Sequence, residues 1–211
     1  MLLRDRTAMI SKLVALVLLC MLVIPINFVN AKSPFSDQQK VLVPVVLDGV
    51  YYQPEEFNKI NQQLHEQGIS LYFTTDNGTL YAFSSLNDFC KKYSIYFDMT
   101  GESIGSIHVN PISPLSMDPG YAYNWVNGYQ GGDCLAIQEG WYGNLATEWR
   151  DVISSEYYTS GGSSYWIAYA LCDQLNQGGN WYVIWKGSGC NDLRNVGFND
   201  KAKSVTFGHL N

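Results

Sequence analysis

Trp181-Tyr182-Val183-Ile184-Trp185 is the stretch on which the fold turns. Successive side chains of a strand point to opposite faces, so a half-exposed strand alternates apolar and polar residues. Here both parities are apolar, which suits a strand buried on both faces. Outward from it, between Asn124 and the chain end, helical periodicity mostly vanishes. Short aromatic and β-branched runs alternate with clusters of Gly, Asn, Asp and Ser. That pattern predicts an all-β sandwich or barrel. All six tryptophans fall between Trp125 and Trp185, and the large area of the indole ring assigns most of them to the core.

Upstream the pattern is different. Val41 to Leu47 is an apolar, β-branched run interrupted by Pro44, hence a short or edge strand. Asp48-Gly49 turns it into Val50-Tyr51-Tyr52. Pro54 opens a helix at its first position, Phe57, Ile60 and Leu64 line one face, and Gly68 closes it. A second hairpin follows, Ser70 to Thr75 and Thr79 to Ser84 about Asn77-Gly78, whose residues supply the positive φ angles of a type I′ turn. A second helix starts at Ser85, with Asp88 placed for a capping-box-like pair and Leu86, Phe89, Cys90 and Tyr93 as its buried stripe. The expected architecture is an α+β N-terminal domain of ββα repeated, residues 40–98, followed by a Pro/Gly/Ser-rich linker, 99–123, and an all-β domain, 124–211.

Residues 1–31 read as a secretory signal peptide. Arg4, Arg6 and Lys12 precede an apolar run from Leu13 to Ile24, Pro25 ends it, and Val29-Asn30-Ala31 offers small residues for cleavage. The run is shorter than the roughly 20 residues needed to span a bilayer. Cys20 lies mid-run after Leu19, which rules out a lipoprotein reading. The expected location is therefore secreted, with no membrane attachment after cleavage. Losing three bases and one acid takes the formal charge of −6 to about −8. Such an acidic chain repels phosphate backbones and excludes nucleic acid as a natural partner. Four cysteines remain, Cys90, Cys134, Cys172 and Cys190. An even count in an exported chain predicts two disulfides, in any of three pairings. Cys90 on an apolar helix face would equally suit a buried thiol, but parity favours its being paired.

Gly189-Cys190-Asn191-Asp192-Leu193 and, above all, Gly197-Phe198-Asn199-Asp200-Lys201-Ala202-Lys203-Ser204-Val205 resemble the βγ-crystallin superfamily, in particular its bacterial secreted branch of peptidase inhibitors. The family's Greek-key unit begins with an octet, aromatic-x4-aromatic-x-Gly, folded into a tight hairpin. Ala136 to Gly143 fits that spacing, with Ala136 in place of the first aromatic. Cys172 to Gly179 fits its length without either aromatic. The resemblance covers about residues 134–208 and implies a Greek-key βγ-crystallin-like sandwich. It also implies a calcium site built from an Asn/Asp pair, two spacers, Ser/Thr and Ser. Asn199, Asp200 and Ser204 match; Lys203 stands where an oxygen ligand belongs and argues against the metal. The counterpart in the first unit would be near Thr159 to Ser164, which lacks a carboxylate.

No HExxH, GxSxG or phosphate-binding loop occurs, and His65, His108 and His209 are scattered. Glu139, Glu148, Asp151 and Glu156 could pair as a glycosidase dyad, as the acids of any exported domain could. The chain is accordingly read as a non-enzymatic protein without a cofactor. By resemblance it inhibits a secreted peptidase, with the aromatic, Gly-rich stretch Glu156 to Tyr165 as the candidate loop. The alternatives are a binding module for wall polysaccharide, through Tyr and Trp stacked on sugar rings, and a structural, stress-related βγ-crystallin.

Overall fold

The local signals form the elements expected of them in the computed structural model, which describes residues 40–97, 107–109, 117 and 120–210. Strand β1 (Val45–Leu47) begins just after Pro44 and pairs with β2 (Val50–Tyr52) across Asp48-Gly49, both at positive φ. Helix α1 (Pro54–Glu66) ends in a Schellman motif: Gly68, at φ 74°, donates to the His65 carbonyl and Ile69 to the Leu64 carbonyl. Strands β3 (Tyr72–Asp76) and β4 (Thr79–Phe83) flank Asn77-Gly78. Helix α2 (Leu86–Tyr93) is capped by Ser85, whose side chain accepts the Asp88 N–H, and strand β5 (Ile95–Phe97) follows. The chain continues as β6 (Ile107–Val109), β7 (Tyr121–Asn127), β8 (Gly131–Gln138), β9 (Gly143–Asn144), β10 (Ser155–Tyr158), β11 (Trp166–Cys172), β12 (Trp181–Trp185), β13 (Gly189–Cys190) and β14 (Ser204–Leu210). The expected signal peptide and most of the expected linker lie outside the described residues.

The protein is mostly β-sheet. A nine-stranded sheet runs β2-β1-β4-β3-β12-β11-β14-β5, with β9 also on β14; a second sheet runs β13-β10-β7-β8-β6. From β7 onward the strands form two Greek keys. In the first, β7, β8 and β10 share one sheet while β9 crosses to pair with β14. In the second, β11, β12 and β14 share the other sheet while β13 crosses to pair with β10. Each key thus gives its third strand to its partner's sheet.

Tight folded hairpins mark the start of both keys, and one is not where the sequence reading put it. The second, 172–179, is as expected. The first is 125–132 rather than 136–143. Tyr129, Gln130 and Gly132 lie at φ 56°, 59° and 77°; Asn176, Gln177 and Gly179 repeat this at 55°, 55° and 73°. Each hairpin is pinned by one serine. Ser155 Oγ donates to the Asn127 carbonyl (2.7 Å) and accepts the Gln130 N–H (3.0 Å); Ser204 Oγ donates to the Gln174 carbonyl (2.6 Å) and accepts the Gln177 N–H (2.9 Å). Reciprocal bonds, Asp151 N–H to Ala202 and Asp200 N–H to Ile153, both 3.0 Å, complete the internal symmetry. Leaving the buried Gln177 N–H unpaired costs about 1–3 kcal/mol. Ser204→Ala should therefore lower the unfolding free energy by that amount in a urea titration, and Ser155→Ala should do likewise.

The expected division into separate domains is replaced by a shared sheet and core. Strand β3 pairs in parallel with β12, Tyr72 opposite Trp181, so the ββα segments extend the second key's sheet. Strand β12 is central and covered on both faces, as its sequence requires. Tyr182 and Ile184 join Phe57, Phe73, Tyr169 and Phe207 in the core facing the second sheet's Ala122, Leu135 and Ile137. Trp181 and Val183 face the other way, with Phe89, Ile95, Ala168 and Cys172. The physical reason is that the Greek keys alone would leave β12 at a sheet edge with its Trp181 and Val183 face uncovered; β3 pairs that edge, and α2, through Phe89, covers that face.

The cysteines are also corrected. Cys90, Cys134, Cys172 and Cys190 are all free thiols. They are distributed over different cores: Cys134 packs with Tyr123 and Trp125, Cys190 against the core between the sheets, and only Cys90 and Cys172 share a cluster.

Candidate functional site

The loop between β10 and β11 is narrower and better held than its sequence implied. Glu156 to Tyr158 belong to strand β10, with Glu156 and Tyr158 buried. The loop proper is 159–165, and Gly162, Ser163, Ser164 and Tyr165 are exposed in succession. Thr159 anchors its start: Oγ1 accepts the N–H groups of Gly120 (3.0 Å) and Tyr121 (3.2 Å) and donates to the Tyr121 carbonyl (3.1 Å).

Beneath the loop sits a polar cluster drawn from three elements. Glu139 follows β8, Tyr158 ends β10 and Lys186 follows β12. Tyr158 donates its hydroxyl to Glu139 Oε1 at 2.7 Å, and the Lys186 ammonium pairs with the same oxygen. The other oxygen, Oε2, accepts the Ser163 N–H at 2.8 Å, while Lys186 donates to the Ser163 and Trp166 carbonyls. One loop residue, Ser163, is therefore held at both its N–H and its C=O by a half-buried ion pair. Gly162, at φ 90°, lets the loop close on Gly120: a Cβ there would lie 2.5 Å from Gly120 Cα and 2.6 Å from Glu139 Oε2. Gly162→Ala should displace the loop, seen as shifted Ser163 and Glu139 resonances in NMR spectra. Burial, then the bond to Glu139 and its charge, drives the Tyr158 hydroxyl far above its ordinary pKa. The phenol stays protonated and the carboxylate is occupied by donors, so the cluster fixes a shape and offers no free base or nucleophile.

The other acids named from sequence have separate surroundings. Asp151 pairs with Lys203 at 3.5 Å. Glu156 is 1% exposed between the sheets, and neither carboxylate oxygen has a hydrogen-bond partner. Burial pushes its pKa well up. The Cys190 backbone N–H opposes this without reaching hydrogen-bond geometry. No sequence signal marked this acid as buried, because only its partner strands reveal it.

At the expected calcium loop, Asn199 donates to Asp200 Oδ2 (2.6 Å) and Ser154 to Asp200 Oδ1 (3.0 Å). Ser204 Oγ is engaged by the folded hairpin through both bonds described above. The symmetry-related counterpart is Asp151 to Ser155, not Thr159 to Ser164, and it does carry a carboxylate; the Lys203 ammonium lies beside it. No group of three His, Cys, Asp or Glu that could hold a metal occurs among the described residues. No helix among them is long and apolar enough to cross a membrane. None of the six tryptophans is among the exposed large apolar residues; among the described residues the exposed tyrosines of that group are Tyr51, Tyr96, Tyr129 and Tyr165.

No protein-family model matches the chain, and no curated protein sequence matches it. Three similar solved structures are all of βγ-crystallin type. One, from work on the evolution of the eye-lens βγ-crystallin domain fold, is 19% identical over 50% of this chain and 99% of its own, with a TM-score of 0.40. A βγ-crystallin from an archaeon is 15% identical over 43% and 99%, TM-score 0.35. The fifth crystallin domain of the non-lens protein absent in melanoma 1 is 13% identical over 45% and 90%, TM-score 0.31. The pairing of Greek keys described above rests on this chain's own hydrogen bonds.

Proposed function

We propose that this chain is a non-enzymatic βγ-crystallin-type binding protein acting outside the cytoplasm, and that loop 159–165 engages a secreted peptidase and blocks it. One observation carries the reading: the Ser163 peptide unit is clamped from beneath by Glu139 and Lys186 while Ser163 to Tyr165 face solvent. A loop already fixed in one conformation loses little entropy on binding, which is what an inhibitor needs. The Glu139–Lys186 ion pair is the brace of this loop.

The test is inhibition of secreted serine and metallopeptidases by the full chain, alongside Tyr165→Ala and Glu139→Gln. Inhibition at or below micromolar protein, weakened at least tenfold by both changes, is the expected result. No inhibition by the wild type at that concentration would overturn the reading. A second reading, binding of wall polysaccharide, draws on the ring stack of Tyr165 on His209 (centroids 4.5 Å apart, planes at 12°) and Tyr96 on His209 (6.2 Å). Retention on insoluble cell wall without peptidase inhibition would favour it.

For the metal, the reading is that Lys203 and the internal bonds of Asp200 take the place of calcium. The melting temperature should be the same in chelator and in millimolar calcium. A rise with calcium would overturn that reading.

A further inference from the structure

Strand β5 ends the nine-stranded sheet. It pairs with β14 on one side, Ile95 opposite Leu210, Tyr96 opposite His209 and Phe97 opposite Gly208, and among the described residues no strand pairs with its other side. An unpaired edge presents a row of backbone donors and acceptors ready to accept another strand. Beside it lies a groove of about 310 Å³ lined by Asn87, Cys90, Lys91, Ser94, Ile95 and Tyr96. Asn87, Cys90 and Lys91 share one face of α2 at helical spacing, so the groove runs between that helix and the edge strand.

The edge is held rigidly. Ile95 is fully buried, Phe97 meets Trp181 edge-on at 5.0 Å, and Tyr96 stacks on His209. Ser94, in the left-handed region at φ 56°, closes α2 by donating its N–H to the Cys90 carbonyl and turns the chain directly into β5. The groove's chemistry is selective. Burial raises the Cys90 pKa and keeps the thiol neutral, which leaves Lys91 as the charged group of the lining. In a chain of net charge −6 this is a local positive site.

We propose that the free edge of β5 takes an extended, acidic peptide segment of a partner protein as an added strand, its backbone pairing with β5 and a carboxylate meeting Lys91. Backbone pairing supplies affinity in such sites, and pockets for alternate side chains supply selection. This site is separate from loop 159–165 and does not depend on the peptidase reading.

A fluorescein-labelled hexapeptide of alternating valine and threonine, ending in aspartate with a free C-terminus, serves as the probe against the full chain. Fluorescence anisotropy should show saturable binding, with amide NMR shifts concentrated at residues 87–97. Lys91→Glu, a surface change in the last turn of α2 that should lower the melting temperature by no more than about a few degrees, should weaken binding at least tenfold. N-methylation at alternate peptide positions should abolish binding in one parity and spare it in the other, because edge hydrogen bonds alternate. Glu139→Gln should leave peptide binding unchanged, which separates this site from the loop. The proposal is overturned by no saturation at millimolar peptide, by equal binding to Lys91→Glu, or by tolerance of N-methylation in both parities. It is also overturned if the edge is instead occupied by a second copy, seen as a dimer in sedimentation that peptide does not disperse.

Discussion

Glu156→Gln should remove a large part of a loss of stability that the wild-type protein suffers as pH rises, burial of Asp173 contributing in the same direction. Glu156 lies between the sheets beside Cys190, Tyr182 and Tyr169, with no partner for its carboxylate and no cation among these neighbours. Burial raises its folded-state pKa well above the usual carboxylate range. A raised acid binds its proton more tightly folded than unfolded. Its contribution is therefore fully present below the unfolded value of about 4.3 and is lost as pH climbs through the folded value. Urea titrations across pH should show wild-type stability falling over that window relative to Glu156→Gln, which carries no proton to lose. Glu156→Met, which also removes a buried polar group, should be more stable than wild type by about 1–3 kcal/mol at neutral pH. Parallel pH profiles for wild type and Glu156→Gln would refute the assignment. Lys201, lowered by burial to about 8, acts in the opposite direction at higher pH: its linkage adds stability between about 8 and the unfolded lysine value. Subtracting the variant's profile from the wild type's isolates the glutamate.

Trp181→Ala should be the most destabilising core substitution, at about 3–5 kcal/mol. Its ring is 1% exposed, meets Tyr72 of β3 at 5.4 Å and Phe97 of β5 at 5.0 Å, and donates its indole N–H to the Gln177 carbonyl at 2.9 Å. One side chain thus ties the second folded hairpin to both flanking strands of the ββα region. Calorimetry of the wild type should show one cooperative transition, and Trp181→Ala should lower it as a single transition. Two resolved transitions, one insensitive to Trp181, would show that the shared sheet does not couple the two segments. Trp181→Phe keeps much of the buried area and loses only the indole bond, so it should cost less.

Loop 159–165 and the folded hairpins show how unevenly the chain was legible. Asn77-Gly78, Asp48-Gly49, Pro54 and Ser85 act within a few residues of their own positions, and each predicted its turn or cap. The hairpin at 125–132 was missed because its pinning serine, Ser155, lies far along the chain; the ending Gln-Gly-Gly, shared by 130–132 and 177–179, was the available sign. Loop 159–165 was visible as Gly- and Ser-rich sequence, but Glu139 and Lys186 carry no local mark of their role. Each makes its contact only when β8, β10 and β12 are assembled.

Trp181 to Trp185 fixed by itself that β12 would be buried on both faces, since two apolar parities leave no side for water. What covers it was a tertiary decision. The burial of Trp181 and Val183 under α2, the parallel neighbour β3, and the free thiols that replaced an expected disulfide framework all depend on surfaces meeting over long sequence separations. Hydrophobic burial is non-directional: a sequence can demand it for a strand without naming the partner, and only the packed sheet supplies the name.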